Sequence, residues 1–472
     1  MIGEVRTVVL NGSTLTLEEL VAVARDGARV ELDPAALASM ARSRAVVESS
    51  VAEGSPAYGV TTGVGSRKTF DVEAEGHDRL LVRQHRISQG APVATEIVRG
   101  SIVRLANALA RATTVARPEL ASHLVDALNA GTLPQIRTLG SIGQSDLAQM
   151  ADLADGILGD FQLVQGEAIA LLNQSAFATA LGALAFADAR VLLDVLDHAA
   201  ALDLEALGGN RNHVHPAIGV ARPYPGLQAT LARMRALLEG SEVEARNLQD
   251  PLTFRTIAQQ NGAARDAFDF VEGQLSIELN AAQSNPLVLV DEGRVISVGN
   301  FEVQPLATAL DIARLALAPA LSTAAERAVK LLQRNLTGLT EGLGARPQMA
   351  ESALSEFGIA IQAIAVEARL LAQPVSFDLV STTQAEGIED RMTMAPLAAR
   401  RLAEMAELGA RVVSIELMLA AQACDLRGAR LGTGTARLHE AVRRVVPFLE
   451  EGASLPDLER LVEEIRCGRI CS

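Results

Sequence analysis

The chain has 472 residues, of which 49% are hydrophobic, 21% are charged and only 3% are aromatic. This composition is typical of a soluble globular protein with a large core, and its wealth of alanine and leucine favours helices, because these residues lose little side-chain entropy in a helix. The formal net charge of −15 argues against a nucleic-acid partner, since phosphate backbones bind basic surfaces.

The cysteines and the N-terminal sequence indicate the cellular compartment of the protein. Cys424, Cys467 and Cys471 are too few for a disulfide framework and are expected to be reduced thiols in a cytoplasmic protein. The start, MIGEVRTVVLNG, lacks a basic segment followed by a long apolar stretch, so no signal peptide is expected. No apolar run predicts a membrane span, and no metal-ligand cluster or nucleotide-binding loop is present, so we predict no membrane partner, no metal and no nucleotide cofactor.

The N-terminal part predicts short elements whose starts are marked by local signals. A strand is predicted at Thr7–Leu10, and Thr16 with Glu19 forms a capping box at the start of a helix. Asp33 and Pro34 are typical of the start of a second helix. A glycine-rich loop at 57–70 and a helical pattern from 79 to 129 follow.

The remainder of the chain predicts long helices. Their approximate ranges are 180–207, 227–239, 252–283, 303–333, 351–372, 394–425 and 434–450, with one hairpin between 287–290 and 295–298. These helices are too apolar to be solvated all round, so we expect them to pack as a bundle. The predicted fold is mainly α, with a smaller α+β N-terminal domain at 1–195 and a long-helix bundle at 196–472.

Several motifs occur in one register along essentially the whole chain. They are YGVTTGVG (58–65), LGSIGQSDLAQMADLA (139–154), GEAIALLNQSAF (166–177), RNLQDPLTFR (246–255), IELNAAQSNPLV (277–288) and GNFEVQP (299–305). Together they resemble the aromatic amino acid ammonia-lyase family, which comprises histidine, phenylalanine and tyrosine ammonia-lyases and aminomutases. The resemblance implies an ammonia-lyase-like helical fold and a homotetramer in which several subunits build each active site. It also implies loss of ammonia from an aromatic amino acid, or a 2,3-aminomutase shift.

The family's chemistry needs an electrophile, and the segment that supplies it is altered here. Members of the family form 4-methylideneimidazol-5-one from an Ala-Ser-Gly triad by attack of the glycine nitrogen on the alanine carbonyl and loss of two waters. This chain has Gly143-Gln144-Ser145-Asp146, so a glutamine stands in place of the alanine and the glycine is missing. From this departure we predict that the methylideneimidazolone cofactor is absent and that the segment is a remnant.

A second departure lies in the motif around Gln249. The family's Q-D-P-Y-S-x-R pattern carries an active-site tyrosine, and here Leu252 takes its place. The loss of the triad and of this tyrosine together predicts altered chemistry.

The resemblance also assigns roles to retained residues. Tyr58 matches the general base of the mobile loop, and Arg255 matches the arginine that binds the substrate carboxylate, for which a planar guanidinium is well suited. Asn173 and Gln249 match amides that line the site, and Phe301 matches an aromatic beside the cofactor. Plain structural roles remain open for each: surface packing for Tyr58, an ion pair for Arg255, helix capping for Asn173 and Gln249, and core packing for Phe301.

Two further titratable residues fall at pocket positions of the family. His85 aligns with a histidine that contacts the substrate side chain, although a lone histidine is more often structural. Glu367 lies in the apolar stretch IQAIAVEARLL, where an unpaired carboxylate is costly to bury, so we expect a partner for it. With Tyr58, these two residues form a predicted acid–base set.

The serine and aspartate of the remnant segment have simpler interpretations. Ser145 lacks the histidine and acid spacing of a nucleophilic triad. Asp146 is either a new acid–base group or the cap of the following helix, and capping is favoured.

Three functions are compatible with these residues. The first is an enzyme on the ammonia-lyase scaffold that works without the prosthetic ring, by acid–base elimination, addition, isomerisation or cyclisation of a small carboxylate substrate. The second is a catalytically silent binding or assembly homologue. The third is a conventional aromatic amino acid ammonia-lyase, similar to those that act on histidine.

Overall fold

The computed structural model of the chain describes residues 6–72, 76–347, 352–377 and 385–471. The elements of its first part are short: β1 (Thr7–Leu10), α1 (Leu17–Ala24), β2 (Arg29–Leu32), α2 (Pro34–Ala52), α3 (His77–Gln84), β3 (Gln89–Pro92), α4 (Thr95–Ala110), α5 (Pro118–Ala130), β4 (Arg137–Leu139), α6 (Leu147–Leu158) and α7 (Glu167–Leu172). The later elements include the long helices: α8 (Ala176–Leu207), α9 (Ala217–Ala221), α10 (Pro225–Leu237), α11 (Leu252–Arg255), α12 (Ile257–Glu278), β5 (Leu287–Leu289), β6 (Arg294–Ile296), α13 (Gln304–Leu331), α14 (Arg334–Thr337), α15 (Phe357–Leu370), α16 (Ala395–Arg427), α17 (Thr433–Val445) and α18 (Glu459–Arg466). The prediction of a mainly helical fold is confirmed.

The predicted helix starts are confirmed by their capping contacts. The side-chain hydroxyl of Thr16 accepts the Glu19 backbone N–H at 3.1 Å, and the Glu19 carboxylate accepts the Thr16 N–H at 3.0 Å. The Asp33 carboxylate accepts the backbone N–H of Ala35 at 2.7 Å, one residue after Pro34 at the first helical position. Both signals act within a few residues, so the local sequence suffices to place them.

The predicted helical stretches 79–129 and 252–283 are wrong in part, and the stretch 434–450 is helical only to Val445. The stretch 79–129 contains α3, β3, α4 and α5, and β3 pairs antiparallel with β4, with Gln89 opposite Leu139 and Pro92 opposite Arg137. The stretch 252–283 is interrupted at Thr256, between α11 and α12, and ends at Glu278. The strand β3 reads QGAP and carries no alternating apolar pattern, so only its distant partner defines it.

The chain folds into two compact units. The first comprises Met1–Ala185, Glu272–Leu310 and Pro374–Arg400. The second comprises Phe186–Val271, Asp311–Gln373 and Arg401–Ser472. In the first unit, β1 and β2 form a parallel pair connected by α1, and the buried helix α4 packs against α1 and α5. The hairpin of β5 and β6 has the predicted antiparallel pairing and contacts α2. The domain boundary predicted near residue 195 stays a prediction.

In the second unit, three long helices are joined by a fully buried ion network. Arg327 on α13 donates to Asp203 on α8 at 2.7 Å and to Glu416 on α16 at 2.6 Å. Charges in a core are tolerated when they are paired, and removal of one partner leaves a costly unpaired charge. Burial, together with the neighbouring Glu416, raises the pKa of Asp203 well above its ordinary value. The network therefore fixes the mutual register of these helices.

Two helical stretches are long and apolar enough to cross a membrane, Glu167–Leu207 and Gln304–Leu331. Within the described chain 78% of the first apolar window and 61% of the second are buried, which is typical of core helices in a bundle.

Candidate active site

Tyr58 lies in the glycine-rich loop between α2 and α3. Its phenol oxygen accepts the backbone N–H of Gly65 at 2.9 Å, which ties the two ends of the YGVTTGVG segment together. Burial raises the pKa of Tyr58 above its ordinary value of 10.0; the hydrogen bond from Gly65 lowers it and the charge of Glu389 raises it further. The activation that a tyrosine base needs is therefore not supplied by these neighbours, because they make the phenolate scarcer rather than more abundant.

The segment Gly143-Gln144-Ser145-Asp146 forms a tight turn in the first unit. Gly143 has φ 80°, and a Cβ atom there would lie 2.1 Å from the hydroxyl oxygen of Thr393, so only glycine fits. The same hydroxyl donates to the Gly143 carbonyl at 2.7 Å. Ser145 is buried and also has a left-handed backbone, with φ 62°. A non-glycine residue in this conformation is strained and is held there by its surroundings.

Asn173 holds the serine of this turn. The Ser145 hydroxyl donates to Oδ1 of Asn173, and Nδ2 of Asn173 donates to the carbonyl of Asn285 at 2.8 Å. The Asn173 amide thus bridges two segments instead of capping α7, although its backbone ends that helix. Of the predicted site residues, Ser145 and Asn173 are therefore brought into direct contact.

A residue that the sequence analysis missed lies beside Phe301. The side-chain amide of Gln144 donates to Glu302 at 2.7 Å, and the backbones of the two residues form a bridge. The other carboxylate oxygen of Glu302 accepts the backbone N–H of Gln304 at the start of α13, at 3.0 Å. The half-buried Phe301 is therefore placed next to the turn through its neighbour, and the only sequence signal was the proximity of Glu302 to Phe301.

Asp146 does not cap α6, the helix that follows it, as the sequence predicted. Asp146 occupies the N-cap position of α6 but makes no side-chain bond to that helix. Its carboxylate accepts the Ser141 hydroxyl at 2.7 Å and the backbone N–H of Ala178, in the first turn of α8, also at 2.7 Å. A helix N-terminus that is distant in sequence, and not the adjacent one, receives the carboxylate. Burial raises the pKa of Asp146 to about 6.

We expect Asp146→Asn to flatten part of the pH dependence of stability. Because the folded protein holds the Asp146 proton more tightly than the unfolded chain, this group's contribution is fully present below the unfolded pKa of about 3.9 and is lost as the pH rises through about 6. The free energy of unfolding, measured in urea between about pH 4 and 7, should fall less with pH in Asp146→Asn than in the wild type. Asp126→Asn, at an exposed site, is the control, and curves of equal slope for wild type and Asp146→Asn would contradict the assignment.

His85 ends α3 and is half-buried. Its Nδ1 lies 2.8 Å from the carbonyl oxygen of Leu81, which only accepts, so the ring donates through Nδ1. The neutral ring then carries its lone pair on Nε2, which is the tautomer required of a proton acceptor.

The second unit carries the predicted carboxylate-binding group. Arg255 ends the one-turn helix α11, and its guanidinium donates to the side-chain oxygen of Gln249 at 3.3 Å. Leu252, at the position of the family's tyrosine, begins the same helix and is 65% exposed. Gln249 and Arg255 are therefore in contact, as expected if both residues take part in binding the substrate carboxylate.

The expectation of a buried, paired Glu367 is wrong for the isolated chain. Glu367 lies on α15, but its side chain points to the exposed face of that helix, beside the exposed Val366. The apolar neighbours that suggested burial are themselves partly exposed, so the desolvation argument does not apply within this chain. A role of Glu367 in the site stays a prediction.

The backbone of residues 143–146 determines whether the family's methylideneimidazolone ring could form there. Ring closure joins the backbone nitrogen of the third triad residue to the carbonyl of the first and therefore needs a tight turn, which this segment has around the retained Ser145. The Asp146 N–H, which stands at the third position, donates to the Gln174 carbonyl at 2.8 Å, and that bond has to open for the nitrogen to react. The turn and the serine fit the group, and the departures are glutamine in place of the alanine and aspartate in place of the glycine.

Comparison with known proteins places this geometry among lyases. The chain is 35% identical to a histidine ammonia-lyase of Symbiobacterium thermophilum, over 97% of this chain and 96% of that protein. The solved histidine ammonia-lyase of Trypanosoma cruzi has a TM-score of 0.90 at 28% identity and covers 98% of this chain and 94% of its own. Ergothionase of Treponema denticola, an ergothioneine-degrading enzyme, has a TM-score of 0.92 at 26% identity, with 98% and 99% of the two chains covered.

These relatives correct two predictions. The predicted acid–base enzyme of altered chemistry is contradicted, because the near-complete match to proteins named histidine ammonia-lyase favours the conventional ammonia-lyase that was the alternative. The predicted absence of the methylideneimidazolone cofactor is contradicted by the same relatives.

The family assignment itself rests on the sequence model for aromatic amino acid lyases. That model matches residues 15–165 and 158–444, which is most of the chain, and its relatives and structural neighbours are lyases and aminomutases. The chain therefore belongs to the aromatic amino acid lyase family and is an enzyme of the lyase type.

Proposed function

We propose that this enzyme is a conventional ammonia-lyase that removes ammonia from an amino acid with an imidazole ring, as histidine has, and yields the 2,3-unsaturated acid. The observation that carries the proposal is the 35% identity to a histidine ammonia-lyase over 97% of the chain. A solved neighbour is an ergothioneine-degrading enzyme, so ergothioneine belongs among the test substrates.

The residues of the chain divide the work of binding and proton transfer. Arg255, oriented by Gln249, binds the substrate carboxylate as a planar fork of donors. Tyr58 accepts the proton from the β-carbon, and His85, whose Nδ1 is held by the Leu81 carbonyl, contacts a polar group of the substrate through Nε2. Residues 144–146 would form the family's methylideneimidazolone, with Asn173 holding the Ser145 hydroxyl before ring closure, and that ring would supply the electrophile that makes the amine a leaving group.

We also propose that the enzyme is a cytoplasmic homotetramer with active sites shared between subunits. Large apolar side chains on α11 and α15 support this, because Leu252 is 65%, Ile359 69% and Leu370 58% exposed in the isolated chain. Exposed apolar groups of this size are typical of surfaces covered by another subunit. Leu252 and Glu367 lie on these same elements, so assembly would bury the predicted site residues as well.

A substrate panel tests the reaction. Purified enzyme is incubated with histidine, ergothioneine, phenylalanine and tyrosine, and the released amine is measured together with the near-ultraviolet absorbance of the conjugated acid. We expect release of ammonia from histidine and at least about tenfold lower kcat/KM with the two carbocyclic amino acids, since a site with polar groups for a ring nitrogen leaves them unpaired with a carbocycle. Ergothioneine carries a quaternary amine that cannot leave as ammonia, so turnover of ergothioneine alone would contradict the proposal. Absence of product from all four would contradict the proposal.

Mass spectrometry tests the cofactor independently of activity. We expect the peptide containing residues 143–146 to be lighter than its sequence by two waters, and Ser145→Ala to have the unmodified mass. An unmodified wild-type peptide would show that the segment does not close, whichever substrate is turned over.

A further inference from the structure

The segment before α11 is anchored by one almost fully buried carboxylate. Asp250 is only 4% exposed, and its Oδ2 accepts the backbone N–H of Asn210 at 2.7 Å and lies 2.9 Å from Nε2 of His213. The side-chain amide of Asn210 also donates to the Leu248 carbonyl at 3.1 Å. Asn210, the N-cap of the short 3₁₀ turn Arg211–Val214, and His213 within that turn thus hold the segment 248–250 by three hydrogen bonds.

His213 is the only side chain among these donors to Asp250. Its own side chain is 14% exposed, so the pair is largely withdrawn from water. The second carboxylate oxygen, Oδ1, is buried without a hydrogen-bond partner in the described part of the chain. A buried carboxylate with few donors depends strongly on each of them, so the ring of His213 is a main determinant of where Asp250 lies.

Asp250 is linked to Arg255 through the short turn that joins them. Pro251 follows directly and restricts the backbone, and the Arg255 N–H donates to the Pro251 carbonyl at 3.2 Å. On the other side of Asp250, Gln249 accepts a hydrogen bond from the Arg255 guanidinium at 3.3 Å. Both neighbours of Asp250 therefore contact Arg255, one through the backbone and one through the side chain.

We propose that His213 is a positioning residue, which fixes Asp250 and thereby orients the Arg255 guanidinium for the substrate carboxylate. This inference rests on the carboxylate-binding role of Arg255 in the proposed function. His213 lies outside the residues predicted for the site, and it acts through Asp250 without touching the substrate. Its loss should loosen the binding of the carboxylate more than it affects the chemical step.

The experiment compares three variants with the wild type. His213→Leu removes the donor, His213→Gln keeps an N–H donor at a similar distance from the backbone, and His215→Leu changes an exposed histidine two residues away whose ring only accepts the Ala217 N–H. For each, KM and kcat are measured with the substrate that is turned over. Calorimetry gives the Kd of 3-(imidazol-4-yl)propanoate, a carboxylate that cannot eliminate. Thermal unfolding of each variant is recorded alongside.

We expect His213→Leu to raise KM and the Kd of the propanoate by about tenfold, because an Arg255 that is no longer oriented loses about one hydrogen bond to the charged carboxylate, with kcat changed less than about twofold. His213→Gln should recover most of the affinity, and His215→Leu should match the wild type. Equal affinities for wild type and a folded His213→Leu would overturn the inference, as would an equal loss in His213→Leu and His213→Gln. If the wild type neither binds the propanoate nor turns over any substrate, the proposed function fails, and the inference fails with it.

Discussion

Replacement of Tyr58 by phenylalanine should lower kcat by about 10²–10⁴-fold, which is the usual loss when a general base is removed. The phenol oxygen is the only group lost, and its hydrogen bond from Gly65 contributes about 1 kcal/mol to stability, so the variant should fold. KM should change little, because the phenol is assigned to proton transfer and not to the binding of the carboxylate. Steady-state kinetics with the preferred substrate give both constants.

The pH dependence of the same variant separates a base from a packing residue. Because burial raises the pKa of Tyr58 above 10.0, the reactive phenolate is a minor form near neutral pH, and its population grows about tenfold for each unit of increasing pH. The kcat/KM of the wild type should therefore rise towards alkaline pH, and that rise should be missing in Tyr58→Phe. If kcat/KM rises equally with pH in the wild type and in Tyr58→Phe, the titrating group is not Tyr58.

The second tyrosine of the chain provides a matched control. Tyr224 is 56% exposed and lies beside the guanidinium of Arg222, so Tyr224→Phe makes the same chemical change outside the site. It should keep wild-type kcat and pH dependence. If both phenylalanine variants lose activity equally, the loss cannot be attributed to the loop.

The parts of the fold that were predictable from sequence are those determined by nearby residues. The capping box of Thr16 and Glu19 and the N-cap formed by Asp33 each involve residues at most three positions apart. The structure contains both. Strand β3 was missed because its definition comes from Leu139 and Arg137 on β4, about fifty residues away, with no alternation in its own sequence. Pairing partners at that distance are a property of the fold and not of the local pattern.

The same distinction explains the errors in the site. Asp146 was expected to cap the helix that follows it, whereas its carboxylate is used by the start of α8, which the local sequence cannot reveal. Glu367 was expected to be buried because its neighbours are apolar, but the exposure of Ile359 and Leu370 indicates that those neighbours face a surface. Apolar periodicity reports that a helix face is covered and does not say whether the same chain covers it.

The motifs were nevertheless a good guide to contacts within the site. Ser145 and Asn173 were named from two different family motifs, and Gln249 and Arg255 from one, and each pair is hydrogen-bonded. Glu302 and His213 were missed because their partners, Gln144 and Asp250, are joined to them only by the fold. The predicted absence of the cofactor rested on the side chains of Gln144 and Asp146 and on the missing glycine, and it is contradicted by the relatives, while the tight turn around Ser145 is retained.

Replacement of Arg255 by leucine should lower kcat/KM by about 100-fold, mostly through KM. The guanidinium is assigned two charge-assisted hydrogen bonds to the substrate carboxylate, and together they contribute about 3 kcal/mol, of which each 1.4 kcal/mol is a factor of ten. Arg255→Lys should fall between the two, because an ammonium keeps the charge but lacks the planar fork. Arg430→Leu is the control, since that side chain is 72% exposed and its ion pair with Glu242 lies at the surface.

The carboxylate itself can be removed from the substrate to test this assignment. Wild-type enzyme should discriminate between histidine and histidinamide by about the same 100-fold factor, because the amide cannot accept the bidentate contact. In Arg255→Leu that discrimination should largely disappear, which is the coupling that a double-mutant cycle measures between two groups in contact. A variant that is weakened but still prefers histidine by the wild-type factor would place the carboxylate on another residue and leave Arg255 with a structural ion-pair role.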